Sequence, residues 1–380
     1  MEKKVMIVAG ESSGDLHGAY LVKSIKKIRP EVSFFGLGGS LMKEAGVEVI
    51  FDLTQESIIG LVEAIKIFPK IFKVYQDLKK LILKNPPHLL VLIDFPEFNL
   101  YLAKFASQQN IPVIYYLPPT VWAWREKRAK KIAQRVNEVM TIFPFEKQVY
   151  DKYKVKSTYI GHPLIDIVKV NLTKEEIFSK LPLNKEVEYI GLLPGSRKSE
   201  IKKILPILFQ AAKILKKNYP KLNFLIPLAR SLTINDLYEV VNEEELRIIN
   251  AQVIKEDHYE VMSICKLLIV ASGTATLEAM ILSVPMIIVY KVNWLTWVLG
   301  KLLVRLRYFG LPNIIAGKKI IPEMFQGKAT PRLISKKAAD LLLKEKMIKE
   351  QKKEMKMATT YLGEVGVIDR AARIIESYLR

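Results

Sequence analysis

Two segments of the sequence place small and hydroxyl-bearing residues directly after an apolar run, and the first of them adds an arginine. In the segment 189–201, YIGLLPGSRKSEI, a charged stretch with helical spacing follows the run. A helix that begins there presents unpaired N–H groups and a partial positive charge. Gly195 permits close approach of the backbone, and the guanidinium of Arg197 fits phosphate oxygens. Gly195, Ser196 and Arg197 are therefore candidate phosphate ligands; a plain strand-to-helix turn with a solvated arginine is the alternative.

The segment 270–279, VASGTATLEA, repeats this arrangement later in the chain. The backbone N–H groups of Gly273, Thr274 and Ala275 could bind a second set of phosphate oxygens. Glu278 lies one helical turn later, where its carboxylate could accept hydrogen bonds from ribose hydroxyls. A capping box between Thr274 and Glu278 is the alternative explanation.

A carboxylate stands at the end of a strongly apolar run in the first half of the chain. The segment 92–99, LIDFPEFN, puts Asp94 directly after LLVLI. Burial there would raise the pKa of the carboxyl and suit it to take a proton from an alcohol, and Glu97 and Asn99 follow closely. The alternative is that Asp94 caps the following helix.

The first loop of the chain, AGESSGD at 9–15, is not a GxGxxG dinucleotide fingerprint. It places the negative charges of Glu11 and Asp15 where a dinucleotide site would usually avoid them, and its small residues Ser12, Ser13 and Gly14 let a polar ligand approach. The alternative is a helix cap made by Ser12 or Ser13, with Asp15 favourable in the first turn.

Three further segments combine apolar and basic residues. PPTVWAWREKRAKKI, at 118–132, sets Trp122 two residues before a second tryptophan and beside a basic helix. Tryptophan rings stack on sugars or cover apolar chains, although both could be core residues. The segments 57–75 and 291–310 mix large apolar residues with Lys and Arg. Such segments can lie in a membrane interface, and ordinary core helices are the alternative.

The elements that must position these loops alternate between buried strands and helices. Apolar runs typical of buried strands are KVMIVAG, VSFFGLGG, HLLVLIDFP, PVIYYLPP and EVMTIFP, then EYIGLLPGS, LNFLIPLA, RIINAQVI, LLIVASGT and VPMIIVYK. Such runs between helices predict parallel sheets covered on both faces, with ligands beyond the carboxyl ends of the strands. The pattern breaks near 165–175, which predicts one domain over 1–168 and a second over 169–345. The helices of 346–380 would pack back on the first domain or on a dimer partner.

The composition narrows the class of protein. Among 380 residues, 59 are Lys or Arg and 39 are Asp or Glu, a net charge of +20 that fits nucleic acid, an anionic membrane or anionic substrates. The sequence has no zinc-finger spacing, RNP-like motif or basic tail, which disfavours nucleic acid. A single cysteine fits a reducing cytoplasm, and the four scattered histidines predict no metal site. We expect neither a signal peptide nor a transmembrane helix.

Together, the loops resemble those of the lipid-A-disaccharide synthase family. The motifs follow the family's order over nearly the whole chain: AGESSGD, DFPEFN, P-x-VWAWR-x-KR, PFEK-x-x-YDKY, IGHP, LLPGSR-x-x-E, ASGTATLE and LPNIIAG. The resemblance implies an inverting glycosyltransferase of α/β class with the GT-B fold, in which two facing Rossmann-like domains form an interdomain cleft. The implied reaction joins UDP-2,3-diacylglucosamine to 2,3-diacylglucosamine 1-phosphate (lipid X). It gives the β-1,6-linked disaccharide 1-phosphate and UDP, with no metal or other cofactor.

The resemblance also implies roles for the candidate residues. The first domain would hold lipid X, with Asp94 as general base for the acceptor's 6-hydroxyl and Glu11 as the second choice. The second domain would hold UDP, and Arg197 would stabilise the departing diphosphate. Substrate contacts would come from the remaining candidates: Ser13, Asn99, Trp122, Gly195, Ser196, Gly273, Thr274, Ala275, Glu278 and Asn313.

The family comparison leaves some points open. Many members have Ser-Pro-Ser where this sequence has Pro118, Pro119 and Thr120, which puts the hydroxyl contacts of that loop in doubt. The implied location is the cytoplasm, peripherally on the inner face of the inner membrane, and a homodimer through the C-terminal region is one alternative arrangement. The competing functions are another UDP-sugar enzyme of the GT-B fold, of the UDP-N-acetylglucosamine epimerase or peptidoglycan transferase type, and a basic binding protein without turnover.

Overall fold

The computed structural model describes residues 3–54, 61–119, 121, 127–292, 297 and 307–380, and for 61–66 and 127 the backbone only. The described residues form two compact units. Unit 1 runs from the N-terminus to Asp166 and resumes from Leu362 to Arg380. The described residues of unit 2 are 167–292, 297 and 307–361. The last helix of the chain is therefore part of unit 1.

Unit 1 is built on seven parallel strands with helices between them. Its strands are β1 (Lys4–Ala9), β2 (Ser33–Leu37), β3 (Val47–Phe51), β4 (Leu89–Ile93), β5 (Val113–Tyr116), β6 (Glu138–Thr141) and β7 (Ser157–Tyr159). Its helices are α1 (Ser12–Ile28), α2 (Ser40–Glu44), α3 (Leu61–Lys84), α4 (Pro96–Gln108), α5 (Lys127–Ala133), α6 (Pro144–Asp151), α7 (Leu164–Ile167, which ends at the boundary) and α17 (Val367–Ser377). The strand order is β3-β2-β1-β4-β5-β6-β7.

Burial explains which apolar runs became central strands. All five residues of β4 are fully buried, because helices cover both faces of the sheet at this position. One face packs against α3, α4 and α5 in a continuous apolar core. On the other side α17 packs on α1, where the Ser24 hydroxyl donates to Asp369 Oδ1 at 2.7 Å.

Unit 2 repeats this plan with six parallel strands. Its strands are β8 (Glu188–Leu193), β9 (Leu222–Pro227), β10 (Ala251–Ile254), β11 (Leu267–Ala271), β12 (Met286–Tyr290) and β13 (Glu323–Phe325). Its helices are α8 (Lys174–Lys180), α9 (Lys198–Asn218), α10 (Ile234–Tyr238), α11 (Glu243–Ile248), α12 (His258–Ile264), α13 (Ala275–Ile281), α14 (Leu311–Ile315), α15 (Pro331–Leu343) and α16 (Glu345–Thr359). Short 3-10 turns cover Gln326–Lys328 and Thr360–Leu362. The strand order is β10-β9-β8-β11-β12-β13.

Edge strands account for most differences from the sequence prediction. β3, β7 and β13 were not predicted, because edge strands are partly exposed and lack a continuous apolar run. The predicted strand RIINAQVI was too long, since only Ala251–Ile254 is extended. Its first residues belong to α11, which begins with a capping box between Asn242 and Glu245.

Both sheets reverse their strand order at an equivalent point. In unit 1 the reversal separates β1 from β4, and in unit 2 it separates β8 from β11. Such a topological switch point leaves a crevice beyond the carboxyl ends of the two strands, where α/β proteins bind ligands. The predicted α/β class with two Rossmann-like units is confirmed. No described helix is both long and apolar enough to span a membrane.

Candidate active site

The switch point of unit 1 brings the first two acidic loops together. Ala9 of β1 is the register partner of Ile93 of β4. Glu11 and Asp94 follow these two residues by two and one positions, so their loops leave adjacent strands. Gly10 lies against the Phe95 ring, and a Cβ at this position would be 2.3 Å from the Phe95 Cδ1 atom. The loops therefore pack on each other, and this contact requires a glycine.

Asp94 has an unusual backbone conformation. Its φ is +46° and that of Phe95 is +48°, so two consecutive non-glycine residues lie in the left-handed region. Asp94 itself is half-buried. The N-cap residue of α4 is Phe95, not Asp94 as the capping alternative required. Backbone strain of this kind persists only where surrounding contacts enforce it, and it concentrates at functional sites.

Two buried side chains enforce this conformation. Asn99 is fully buried, and its Nδ2 donates to the carbonyl oxygens of Ile93 at 3.2 Å and Asp94 at 2.7 Å. The hydroxyl of Tyr115 also donates to the Asp94 carbonyl, at 2.7 Å. Asn99 therefore positions the Asp94 loop from within the protein. Its complete burial does not support the direct substrate contact expected from the sequence.

The loop after β1 begins α1 without a serine cap. The N-cap residue is Glu11, whose carbonyl accepts from Asp15 N at 2.9 Å. The Ser12 hydroxyl donates to the Thr54 carbonyl at 3.1 Å, and Ser13 is half-buried in the first turn. The predicted alternative, a cap by Ser12 or Ser13, is therefore wrong. Glu11 and Ser13 remain at the carboxyl edge of the sheet, beside the Asp94 loop.

Asp15 serves the fold rather than the crevice. Its buried carboxylate accepts hydrogen bonds from the backbone N–H groups of Gly39 at 2.8 Å, Leu41 at 3.1 Å and Met42 at 3.0 Å. Loss of hydration raises its pKa, although the three hydrogen bonds act in the opposite direction. Asp15 thus holds the start of α2 against α1.

The switch point of unit 2 carries the Arg197 loop. Leu193 of β8 pairs with Val270 of β11, so the loops that follow these strands are neighbours. Gly195 has a φ of +118°, which a residue with a side chain rarely adopts. Ser196 is exposed, and Arg197 is half-buried as the N-cap residue of α9. The chain thus presents a hydroxyl and a guanidinium at the carboxyl edge of the second sheet.

The β11–α13 loop has open space around its glycine. Gly273 is exposed, and a Cβ there would meet no atom within 4 Å. Thr274 is the N-cap residue of α13, with a helical φ of −55° and no side-chain cap hydrogen bond. The capping box predicted as an alternative is therefore wrong. Gly273, Thr274 and Ala275 lie at the start of α13, where the first N–H groups of a helix have no intrahelical acceptor.

Glu278 lies in the first turn of α13 and is half-buried. Loss of hydration raises its pKa from 4.5 to about 7, and a hydrogen bond from the Tyr259 hydroxyl to Oε1, at 3.4 Å, acts in the opposite direction. A carboxyl with a pKa near neutrality is typical of functional sites. The hydrogen bonds of Glu278 with a ribose stay a prediction.

The structure does not support the predicted donor contact of Asn313. Asn313 is fully buried, and its Nδ2 donates to Ile321 O and Glu323 Oε1, both at 2.8 Å. Its Oδ1 accepts from Ile320 N and Ile321 N, both at 2.8 Å. A side-chain amide has two N–H groups and two acceptor sites, so all four are used within unit 2. Asn313 therefore holds its own loop in place.

Trp122 lies outside the described residues, and so do Thr120, Trp124 and Trp294. For the described residues, no group of three or more His, Cys, Asp or Glu side chains could hold a metal ion.

Sequence reasoning missed several residues of these sites. Tyr115 and Glu323 act from other strands, and the rings of His17 and His162 lie 6.0 Å apart although the residues are distant in sequence. Burial lowers the pKa of His17 to about 4 and that of His162 to about 3, because it disfavours the charged form of the ring. Glu200, three residues after Arg197, carried a signal, because this spacing is that of a capping box.

Comparison with known proteins identifies the same family as the loop motifs. The model of the lipid-A-disaccharide synthetase family matches residues 5–375. A lipid-A-disaccharide synthase of Geobacter metallireducens is 40% identical over 373 residues, 98% of this chain and 96% of that protein. One of Coxiella burnetii is 39% identical over 340 residues, 90% of this chain and 89% of that protein.

Solved structures share the fold at much lower identity. A UDP-GlcNAc 2-epimerase from Neisseria meningitidis bound to UDP-GlcNAc has a TM-score of 0.65 at 14% identity, with 99% of both chains covered. The S. aureus MnaA–UDP co-structure has a TM-score of 0.67 at 13% identity, covering 99% of this chain and 97% of that one. This likeness shows the fold alone, so an epimerase function is not favoured. The sequence relatives and the family model agree with the loop motifs, and the chain belongs to the lipid-A-disaccharide synthetase family.

Proposed function

We propose that this chain joins UDP-2,3-diacylglucosamine to lipid X, forming the β-1,6-linked disaccharide 1-phosphate and UDP. The observation that carries the proposal is the half-buried Asp94, held in a left-handed backbone at a switch point by the buried amide of Asn99. A carboxylate placed in this way is suited to act as a general base toward a hydroxyl. Family membership provides the identity of the two substrates.

The donor's diphosphate is assigned to unit 2. Arg197 provides a planar cation, and the N–H groups of Gly273, Thr274 and Ala275 provide backbone donors at the neighbouring strand end. Gly195 and Ser196 belong to the same anion-binding loop. Glu278 accepts hydrogen bonds from the ribose. The solved structures of similar fold include complexes named with UDP and UDP-GlcNAc, which is consistent with a UDP-sugar donor.

The chemical step is a single displacement with inversion. The acceptor's 6-hydroxyl oxygen forms a bond to the anomeric carbon of the donor, and Asp94 takes the hydroxyl proton. The bond between the anomeric carbon and the diphosphate oxygen breaks, and its electron pair leaves with UDP. Arg197 stabilises the negative charge that develops on the departing diphosphate. Glu11, beside the Asp94 loop, is the second choice as base.

The acceptor and donor carry acyl chains, so we assign the reaction to the cytoplasmic face of the inner membrane. Phe68 and Phe72 of α3 are 62% and 51% exposed, and their rings stack at 6.1 Å. Lys70 and Lys73 accompany them on the same helix. A basic helix with exposed aromatic rings is suited to an anionic lipid surface. A homodimer through the C-terminal region stays a prediction.

The test is UDP release by purified protein from both substrates in detergent. We expect UDP and a disaccharide phosphate from the wild type. Asp94→Asn should lower kcat by about 10²–10⁴-fold while UDP still binds, the usual range for losing a general base. Arg197→Ala should weaken UDP binding as well as turnover. Turnover that survives Asp94→Asn would move the base to Glu11, and UDP release without lipid X would contradict a transferase.

A further inference from the structure

The carboxylate of Glu200 lies inside the Arg197 loop. Its Oε2 accepts hydrogen bonds from Ser196 N at 2.8 Å and Arg197 N at 3.3 Å. Its Oε1 is 3.3 Å from Nη1 of the Arg197 guanidinium. One side chain thus contacts two backbone donors and the cation that the proposed function assigns to the diphosphate. Its own side chain is only 18% exposed.

The backbone of the loop is built around this side chain. A Cβ at Gly195 would lie 2.3 Å from Glu200 Oε2 and 2.7 Å from Glu200 Cβ. Gly195 therefore leaves room for the carboxylate, in addition to supplying its φ of +118°. The Ser231 hydroxyl holds the loop from the other side, since it donates to the Ser196 carbonyl at 2.6 Å.

Comparison with other helices of unit 2 separates this arrangement from an ordinary helix cap. In α8, α10 and α11 the capping-box acid faces a Thr or Asn at the N-cap. In α9 the N-cap residue is Arg197, so the acid also contacts a guanidinium. A capping box alone would stabilise the helix and leave ligand binding unchanged. The additional ion pair connects this cap to the anion-binding side chain.

We propose that Glu200 is a positioning residue for the donor's diphosphate, which it serves by holding the Arg197 guanidinium and the Ser196–Arg197 backbone in place before the donor binds. This inference rests on the proposed function. The contact with Glu200 engages Nη1 of the Arg197 guanidinium, whose planar fork fits phosphate oxygens. The N–H groups of Ser196 and Arg197 bind Glu200, so the loop meets the diphosphate chiefly through the guanidinium. A side chain that is already held loses less freedom when the ligand binds.

The test is a double-mutant cycle on UDP affinity, measured by calorimetry on the full chain. Glu200→Ala should weaken UDP binding about tenfold. In an Arg197→Ala background the same change should have little further effect, because Glu200 acts through Arg197. Glu200→Gln keeps an acceptor for the two N–H groups and should bind UDP with intermediate affinity. Glu245→Ala is the matched control, since Glu245 Oε2 accepts from Asn242 N at 3.1 Å in the capping box of α11. It should lower the melting temperature without changing UDP affinity.

Each other outcome overturns the inference. If Glu200→Ala binds UDP as tightly as the wild type or more tightly, while Arg197→Ala binds it more weakly, the role of Glu200 is overturned and the donor assignment stands. Tighter binding would make Glu200 a competitor of the diphosphate. Effects of the two substitutions that multiply in the double variant would also overturn it. UDP binding that Arg197→Ala leaves unchanged would overturn the donor assignment as well. If Glu200→Ala does not fold, Glu200→Gln and its double variant with Arg197→Ala complete the same cycle.

Discussion

Asn99 Nδ2 donates a hydrogen bond to the backbone carbonyl of Asp94 at 2.7 Å. The acceptor residue has a φ of +46°, and the donor is fully buried. The proposed base is thus held through its main chain, at the carbonyl that also accepts from the Tyr115 hydroxyl. This relationship assigns the Asn residue of the DFPEFN motif a physical role.

Asn99→Ala should lower both stability and turnover. The variant leaves the carbonyls of Ile93 and Asp94 without their amide donor, which should cost about 1–3 kcal/mol. We expect kcat to fall about tenfold or more, because the Asp94 backbone can then relax toward a common conformation, while UDP affinity stays unchanged. Asn137→Ala is the control, since its Oδ1 accepts from Val113 N at 2.8 Å. Val113 begins β5, so this contact lies at the amino ends of the strands, away from the Asp94 loop. A wild-type kcat for Asn99→Ala would show that Asp94 keeps its geometry unaided.

Gly273→Ala should weaken UDP binding without destabilising the fold. A Cβ at Gly273 meets no atom within 4 Å, so the change in free energy of unfolding should stay within about 0.5 kcal/mol. A diphosphate close to the backbone would meet the added methyl group, and we expect about tenfold weaker binding in calorimetry. Gly327→Ala is the matched control in the same unit, because a Cβ there also meets nothing. Equal UDP affinity in both variants would argue against a phosphate at this loop.

Glu278 should make unfolding stability depend on pH. The pKa of Glu278 is about 7 in the folded chain, against an ordinary value of 4.5, so folding favours the protonated form. The stability from this group is present below about pH 4.5 and is lost as the pH rises through 7. The wild type should therefore lose about 1–3 kcal/mol of unfolding free energy relative to Glu278→Gln as the pH rises from 5 to 8, measured by urea unfolding. Glu244→Gln, on the exposed start of α11, is the control. A pH-independent difference would contradict the raised pKa.

Asn313→Ala should destabilise unit 2 even without any ligand. The change leaves the N–H groups of Ile320 and Ile321 without their acceptor, which should cost roughly 1–3 kcal/mol for the buried Ile321 group and less for the half-buried Ile320 group. Asn313→Asp keeps the acceptor but places a second carboxylate against Glu323. Glu323→Gln should relieve that repulsion, so the double variant should melt at a higher temperature than Asn313→Asp alone. If Asn313→Ala melts like the wild type, the internal network is unimportant and direct donor contact regains support.

Phe68→Ser with Phe72→Ser should reduce binding to lipid vesicles. Both rings are more than half exposed, and their burial in an interface would be lost. We expect at least tenfold less protein to sediment with vesicles containing anionic phospholipid, with turnover of detergent-dispersed substrates retained. Ile248→Ser is the control, because this residue is 56% exposed in unit 2. Equal sedimentation of wild type and double variant would place membrane contact elsewhere.

Most of the fold could be predicted because buried parallel strands are continuous apolar runs. The central strands β1, β4, β8 and β11 were all found in this way, and the chemistry-bearing loops follow them directly. The edge strands β3, β7 and β13 were missed, because a half-exposed strand has no comparable signal. The motifs also led to the correct family, since their order along the chain is specific to it.

The sequence by itself determined which loops carry the chemistry, because residue type and the strand-to-helix pattern are local properties. Only the tertiary structure decided which of the candidate side chains are bonded inside the protein and hold the loops. Asn99 and Asn313 have the same residue type as many ligand-binding groups, yet both are fully buried and bonded to backbone. The carboxylate of Glu200, in the first turn of α9, accepts hydrogen bonds from the loop that precedes its own helix. The physical reason is that a polar side chain is directed by burial and by partners elsewhere in the chain, which residue spacing does not encode.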